Sequence, residues 1–232
     1  MRPRQKRGTI QFKPKVYGKT RLGSPLEIWL PTDEVQVLLL AGIHGAEPES
    51  TLVLSRAFRM LEEQSAHCAV ILTANPDGLI RGTRCNASGV DLNRNFPTGN
   101  WQSGPVNYRW TLGDPRDVEL SPGRSPGSEP ETQAILALVK ELSPAYITAV
   151  HAPLACIDDP HATELGQWFS DRSGLELVRD VGYPTPGSFG SWALENSYEL
   201  ITYELPDAPL ETLVKEHSAI FYQLLTDPSI IL

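Results

Sequence analysis

Short apolar runs alternate with longer stretches of helical periodicity along this chain of 232 residues. The runs at 26–30, 35–40 and 69–73 predict strands, and the turn at 31–33 separates the first two as neighbouring strands. The run at 35–40 is almost entirely apolar, which indicates a strand covered on both faces.

Helical periodicity occurs in several longer stretches between and after these runs. Helices are predicted at 48–63, 131–142, 161–173 and 210–225, with further strands at 146–150 and 199–205. In the first helix, Leu52, Phe58 and Leu61 predict a buried stripe, and Pro48 suits the first helical position. This alternation of strands and helices predicts a doubly wound α/β sheet.

Residues 97–130 break the pattern, because they are rich in Pro, Gly and aromatic side chains and show no periodicity. We therefore predict a long loop, which in a compact domain is usually functional or disordered.

Length and net charge limit the number of domains and the possible partners. The length favours one domain spanning residues 1–232. A net charge of −8 argues against a nucleic acid or an anionic membrane as partner. The longest apolar run, at 37–43, is too short to span a bilayer.

The start of the chain and the cysteines point to a cytoplasmic protein. The basic start is not followed by an apolar segment, so no secretory signal is predicted. The three cysteines lie far apart, which favours buried thiols in a reducing compartment over disulfides.

Polar groups occur where predicted strands end, which is where ligands bind in such sheets. These groups are His44, Asn75-Pro76-Asp77, His151 and Glu204. His44 and Glu47 form a His-x-x-Glu turn that could hold zinc, or they could be a surface histidine beside a helix-start acid.

His151 is a plausible third ligand at a strand end, and the other three histidines, His67, His161 and His217, are predicted to be solvated. A thiol pair of Cys156 with His151 is a weaker alternative, because no orienting third residue is evident.

The segment GVDLNRNFP at 89–97 carries a second group of polar residues. Asn93 and Arg94 could form a fork for a carboxylate, or the segment could be a loop braced by asparagine side chains. Arg81 and Arg84 supply two more cations, and Glu204 is either a hydrogen-bonded cap or a general base.

Together, HGAE, GVDLNRNFP, the strand-end histidine and YELPD make residues 35–207 resemble the zinc metallocarboxypeptidase family of carboxypeptidase A. The resemblance implies an α/β fold with a mixed, mostly parallel central sheet covered by helices on both faces. It also implies one zinc ion per chain.

In that family's pattern the zinc ligands match His44, Glu47 and His151, and the general base matches Glu204. The arginine that polarises the scissile carbonyl matches Arg84, with Arg81 as the competing choice. The carboxylate-binding pair matches Asn93 and Arg94, and a mobile tyrosine matches Tyr183 more loosely.

The segments HAPLACIDD and GSFGSW resemble the bacterial murein peptide amidase branch of the family. That likeness implies hydrolysis of the γ-D-glutamyl–meso-diaminopimelate amide in small murein peptides recycled in the cytoplasm. The pocket for the zwitterionic far end of diaminopimelate should be polar, with Thr202, Ser191 and the 97–130 loop as candidates.

Three other functions remain open. A general zinc carboxypeptidase shares the same motifs. An N-acyl amino acid deacylase is disfavoured because only 28 residues follow Glu204, too few for an added β-domain. A non-catalytic peptide-binding module is disfavoured because no ligand or base is missing. The oligomeric state is open, with a homodimer as one prediction.

Overall fold

A six-stranded sheet forms the centre of the computed structural model, which describes residues 7–110 and 114–231. From edge to edge its strands are β4 (Cys68–Ile71), β3 (Val37–Ala41), β7 (Tyr146–His151), β10 (Glu199–Glu204), β8 (Cys156–Asp158) and β9 (Glu176–Val178). The first four are mutually parallel, β8 is antiparallel to β10, and β9 is parallel to β8. The sheet is therefore mixed and mostly parallel, as predicted.

Helices cover both faces of this sheet. They are α1 (Pro48–Phe58), α2 (Pro76–Arg81), α3 (Pro130–Leu142), α4 (Glu164–Ser173), α5 (Phe189–Glu195) and α6 (Leu210–Thr226). Leu39 and Tyr203 pack with α1, α4 and α6 in one core, while Leu38 and Leu40 pack with α3 and α5 in the other. Among the described residues, no helix combines the length and the apolar character needed to cross a membrane.

A strand forms near the predicted range 26–30, but the prediction that it neighbours β3 is wrong. Here β2 (Pro25–Ile28) pairs antiparallel with β1 (Lys15–Lys19) in a separate two-stranded sheet. The parallel strands β4 and β7 occupy both hydrogen-bonding edges of β3, and this leaves no place for β2 there.

The first helix is shorter than predicted, and its predicted stripe is buried at Phe58 and Leu61 but not at Leu52. It ends at Phe58, and Pro48 lies in its first turn as expected. Leu52 is 37% exposed, whereas Val53, Leu54 and Ala57 are buried. Leu52 lies six residues before Phe58, and at 3.6 residues per turn that spacing places the two side chains on different faces.

The segment 97–130 contains a β-hairpin rather than loop alone. Strands β5 (Val106–Trp110) and β6 (Arg116–Leu120) pair antiparallel. In β5 the partly buried Val106, Tyr108 and Trp110 alternate with exposed polar residues, which is a strand pattern. The Pro-rich and Gly-rich flanks obscured this short alternation in the sequence.

Two histidines that were predicted to be solvated are buried against α6. The ring nitrogen Nε2 of His67 lies 2.8 Å from the Leu224 carbonyl oxygen, and Nδ1 of His217 lies 2.7 Å from the Tyr203 hydroxyl. These contacts let imidazoles replace apolar side chains in the helix–sheet interface. His161 is exposed, as expected.

The carboxyl ends of β3, β7 and β10 are adjacent, so the residues that end these strands converge. Asn75 supports the turn after β3, because its Nδ2 donates to the Ile43 carbonyl oxygen at 3.2 Å and its Oδ1 accepts from Gly78 N at 2.9 Å. Asp77 accepts instead from Ser24 Oγ at 2.7 Å, away from these strand ends.

Gly45, inside this turn, provides a test of the packing. A Cβ atom at this position would lie 2.1 Å from the Gly78 backbone carbon, so either α2 or the turn must shift. We expect Gly45→Ala to destabilise the fold by about 2 to 3 kcal/mol, seen as a lower Tm. Gly104→Ala is the control, because a Cβ there meets nothing within 4 Å. An unchanged Tm for Gly45→Ala would contradict this close packing.

Candidate active site

Two histidines and a glutamate meet at the carboxyl edge of the sheet. His44 lies in the turn after β3, Glu47 directly precedes α1, and His151 is the last residue of β7. Their potential ligand atoms all lie within 4.8 Å of one another, and all three residues are buried. The alternative of a surface histidine beside a helix-start acid is therefore wrong.

The ligand atoms of these residues point at a common centre. Nδ1 of His44 lies 2.7 Å from Glu47 Oε1, and Nδ1 of His151 lies 3.1 Å from Glu47 Oε2. The two Nδ1 atoms are 3.2 Å apart. Glu47 does not cap its helix with its side chain, so the carboxylate faces the imidazoles instead.

This donor set fits a divalent metal such as zinc. Nε2 of His44 lies 3.2 Å from Asp91 Oδ1, and donating a proton there leaves the Nδ1 lone pair for a ligand. Neutral imidazole nitrogens and a carboxylate oxygen are ligands that zinc prefers. Burial raises the pKa of Glu47, but the two histidines outweigh it and the net shift is downward, which keeps the carboxylate ionised.

Asp91 joins this centre to an arginine, and its importance was missed in the sequence. Arg84 Nε donates to Asp91 Oδ2 at 2.9 Å, and the backbone N–H of Asn93 donates to Asp91 Oδ1 at 2.9 Å. Burial raises the pKa of Asp91, but Arg84 and His44 hold it well below its ordinary value. The signal was available, since Asp91 is the acid within GVDLNRNFP.

Arg84, not Arg81, lies at the centre. Its Nη1 donates to Glu47 Oε1 at 3.1 Å, and its guanidinium carbon lies 4.1 Å from the centroid of the Tyr108 ring. Arg81 is exposed and donates to the Asp77 carbonyl within its own helix. Tyr108 was missed because it belongs to the hairpin that the sequence did not reveal.

Asn93 and Arg94 lie in a short 3₁₀ turn that follows Asp91. The Asn93 side-chain oxygen accepts from Phe189 N at 2.8 Å, so its amide NH₂ group is the part that remains for a ligand. Arg94 Nη1 donates to the Asn93 carbonyl at 2.7 Å. Arg94 Nε is buried and has no hydrogen-bond partner in the described residues, which leaves this donor for an anionic group.

Asn95, the next residue, braces the loop with its side chain, which was the alternative interpretation of this segment. Asn95 Nδ2 donates to the Pro122 carbonyl at 2.8 Å, and Asn95 Oδ1 accepts from Glu129 N at 3.1 Å. The segment thus both braces the loop and presents Asn93 and Arg94.

Glu204 ends β10 directly beside His151 of β7. Its Oε2 accepts one hydrogen bond, from Leu154 N at 3.3 Å. Burial raises the pKa of Glu204 to about 7, and the Glu47 charge adds to this shift, while His151 opposes it. A carboxylate with this pKa can both accept and release a proton near neutral pH.

Tyr183 lies at the edge of the site and is 52% exposed. Burial raises its pKa and the nearby Glu204 charge raises it further, while Arg94 lowers it, so the phenol lies within electrostatic reach of both residues. Its exposure and its place in a loop before α5 leave it free to move toward a ligand.

The cysteine alternative has no support in the geometry. All three cysteines are buried free thiols, as predicted. Burial, with the Glu204 charge, raises the pKa of Cys156 to about 11, so the thiolate needed for nucleophilic attack is disfavoured.

Comparisons with known proteins agree with this geometry. A sequence model described as zinc carboxypeptidase matches residues 28–164, more than half of the chain. This chain belongs to the zinc carboxypeptidase family. It is therefore a hydrolase, and the family's metal fits the donor set at the carboxyl edge of the sheet.

Two curated relatives cover most of the chain. Murein peptide amidase A of Escherichia coli strain K12 is 47% identical over 209 residues, which span 88% of this chain and 86% of the relative. The protein of the same name from Vibrio campbellii is 40% identical over 233 residues, spanning 98% and 94%.

Solved structures show the same fold. The crystal structure of murein-tripeptide amidase from Escherichia coli O157 superposes with a TM-score of 0.90 at 41% identity, covering 97% of this chain and 96% of that one. Thrombin-activatable fibrinolysis inhibitor matches with a TM-score of 0.73 at 16% identity, covering 94% of this chain and 71% of that one, which supports the fold alone.

Asp91 provides a test of how the centre is organised. In Asp91→Asn an amide NH₂ group must face either His44 or Arg84, both of which donate to the carboxylate. We expect affinity for Zn²⁺ to fall roughly 10- to 100-fold, measured by competition with a chelating dye. Asp117→Asn is the control, because Asp117 is exposed and pairs with Arg109 on the hairpin. Unchanged affinity in a folded Asp91→Asn variant would contradict this role.

Proposed function

We propose that this chain is a zinc-dependent amidase that hydrolyses the γ-D-glutamyl–meso-diaminopimelate amide of small murein peptides. The observation that carries the proposal is the complete set at one sheet edge: His44, Glu47 and His151, with the proton-accepting Glu204 beside them. The substrate class is supported by relatives named murein peptide amidase A over nearly the whole chain.

One zinc ion per chain would be held by His44, Glu47 and His151. Bound there, zinc lowers the pKa of a water molecule toward neutrality and polarises the scissile carbonyl. The buried charges suit a dication, because the carboxylates of Glu47 and Asp91 outnumber the single Arg84 guanidinium that contacts them.

The roles of the other residues follow from their positions. Glu204 takes a proton from the attacking water and later delivers it to the leaving amine. Arg84, fixed by Asp91 and Tyr108, donates to the carbonyl oxygen as negative charge develops, a contribution of about 3 kcal/mol for one such donor.

The α-carboxylate of the leaving diaminopimelate is held by the Asn93 amide and by Arg94, whose buried Nε lacks a partner within residues 7–110 and 114–231. Tyr183 folds over the bound residue and excludes water. These contacts set the amide in position for attack.

With this activity the protein would act in the cytoplasm, on peptides released during cell-wall recycling. Its expected partner is the small peptide substrate. The acidic composition argues against a nucleic acid or a membrane as a further partner. A homodimer stays a prediction.

Two alternatives are less well supported. A deacylase is less well supported, because the curated relatives that cover most of this chain are named murein peptide amidase A. A general carboxypeptidase would use the same catalytic residues and differ in the pocket alone, so a comparison of substrates must decide.

The role of Glu204 can be tested by Glu204→Gln, which keeps the shape of the side chain and removes the proton acceptor. We expect kcat to fall roughly 100- to 10,000-fold while zinc content and Tm stay near those of the wild type. Glu199→Gln on the same strand is the control, because Glu199 pairs with the exposed His161. A kcat within a few-fold of wild type would show that the base lies elsewhere.

The substrate class can be tested with two peptides at one zinc concentration. We expect kcat/KM for L-Ala-γ-D-Glu-meso-diaminopimelate to exceed that for an ordinary α-linked C-terminal peptide by roughly 100-fold or more. Both peptides are quantified by release of the C-terminal residue. Equal values, or a preference for the ordinary peptide, would identify a general carboxypeptidase instead.

A further inference from the structure

Beside Glu204, strands β10 and β8 share one face of the sheet, which we call the floor. Thr202 lies two residues before Glu204 on β10, so both side chains lie on the same face of the sheet. Asp158 of β8 is the cross-strand partner of Thr202, and it therefore shares that face. The intervening pair, Tyr203 and Ile157, points into the opposite core.

This register places Asp158 near the catalytic base Glu204. From the rise and spacing of strands, its Cα lies roughly 8 Å from that of Glu204, two residues along and one strand across. The chain that follows β9 carries Asp180 and then Tyr183 before α5 begins, so it runs from Asp158 toward the catalytic centre.

Asp158 differs from the two other carboxylates near it. Asp159 braces the turn before α4, because its Oδ2 accepts from Thr163 N and Oγ1 at 2.7 Å each. Asp180 is exposed and accepts from Gly182 N at 2.7 Å. Asp158 Oδ1 is buried and has no hydrogen-bond partner among the described residues. A buried acceptor left unpaired is unfavourable, so a ligand that pairs with it would recover that free energy.

The charges around Asp158 indicate the charge that a ligand at this position would carry. The charged groups that act most on Asp158 are Asp159 and Asp180, which are both acidic. Burial raises the pKa of Asp158 to about 6, and these neighbours add to the shift. A cation at this position would relieve the repulsion, whereas an anion would increase it.

We propose that Asp158 binds the distal ammonium group of the leaving residue and so selects substrates whose C-terminal side chain ends in an amine. This inference rests on the proposed function. With the α-carboxylate held by Asn93 and Arg94, the side chain of diaminopimelate would extend along the floor past Thr202. Its far end then brings the ammonium group to the unpaired oxygen of Asp158.

The test uses four tripeptides of the form L-Ala-γ-D-Glu-X. The residue X is meso-diaminopimelate, lysine, 2-aminopimelate or norleucine, which carry the distal amine and carboxylate in all four combinations. With wild-type enzyme we expect kcat/KM to be roughly 10- to 100-fold higher for each amine-bearing residue than for its amine-free counterpart.

In Asp158→Asn this preference for the amine should fall to within about two-fold, while the variant keeps its zinc content and its kcat on the norleucine peptide. Asp180→Asn is the matched control, because it removes a nearby negative charge without removing the unpaired oxygen, and it should keep the preference. A wild-type enzyme that cuts amine-free substrates equally well overturns the inference, as does an Asp158→Asn variant that retains the preference.

A different result would show that the proposed function, rather than the role of Asp158, is wrong. If no γ-linked tripeptide is cut, the murein assignment fails, and the lysine and norleucine comparison is then made on the ordinary α-linked peptide. A preference for lysine there that Asp158→Asn abolishes would still support the role of Asp158, and its absence would overturn it. Should Asp158→Asn fail to fold, a wild-type enzyme without the preference for the amine would still overturn the inference.

Discussion

The carboxylate of Asp91 is the interaction on which the rest of the centre depends. It contacts Nε2 of His44 on one side and Nε of Arg84 on the other, and it accepts from the backbone of the turn that presents Asn93. One buried charge therefore sets the tautomer of a metal ligand, the direction of an oxyanion donor and the start of the carboxylate-binding segment. Removing it would disturb metal binding and substrate binding together.

Polar groups around this centre fall into two classes. Arg84 and Asp91 have their charged atoms paired within the protein, which holds them in place before substrate arrives. Arg94 Nε and Asp158 Oδ1 are buried without partners in the described residues, and Glu204 accepts a single backbone hydrogen bond. The first class maintains the geometry, and the second has hydrogen-bonding capacity left for substrate and protons.

Much of this arrangement could be predicted from the sequence, because strand ends and short motifs are local properties. His44, Glu47 and His151 were identified this way, and the sheet brings them together. Properties that depend on distant partners were harder to predict: strand 26–30 pairs with β1 because both edges of β3 are filled. The solvated assignment of His67 failed because burial against α6 depends on tertiary packing.

We propose above all that His44, Glu47 and His151 hold one zinc ion that the activity requires. The most direct measurement is anomalous diffraction at the zinc edge on crystals of active protein purified without chelator, together with its zinc content. We expect one zinc per chain and a single anomalous peak in contact with His44 Nδ1, His151 Nδ1 and the Glu47 carboxylate. Active protein with zinc content near zero, or a peak bound elsewhere, would contradict it.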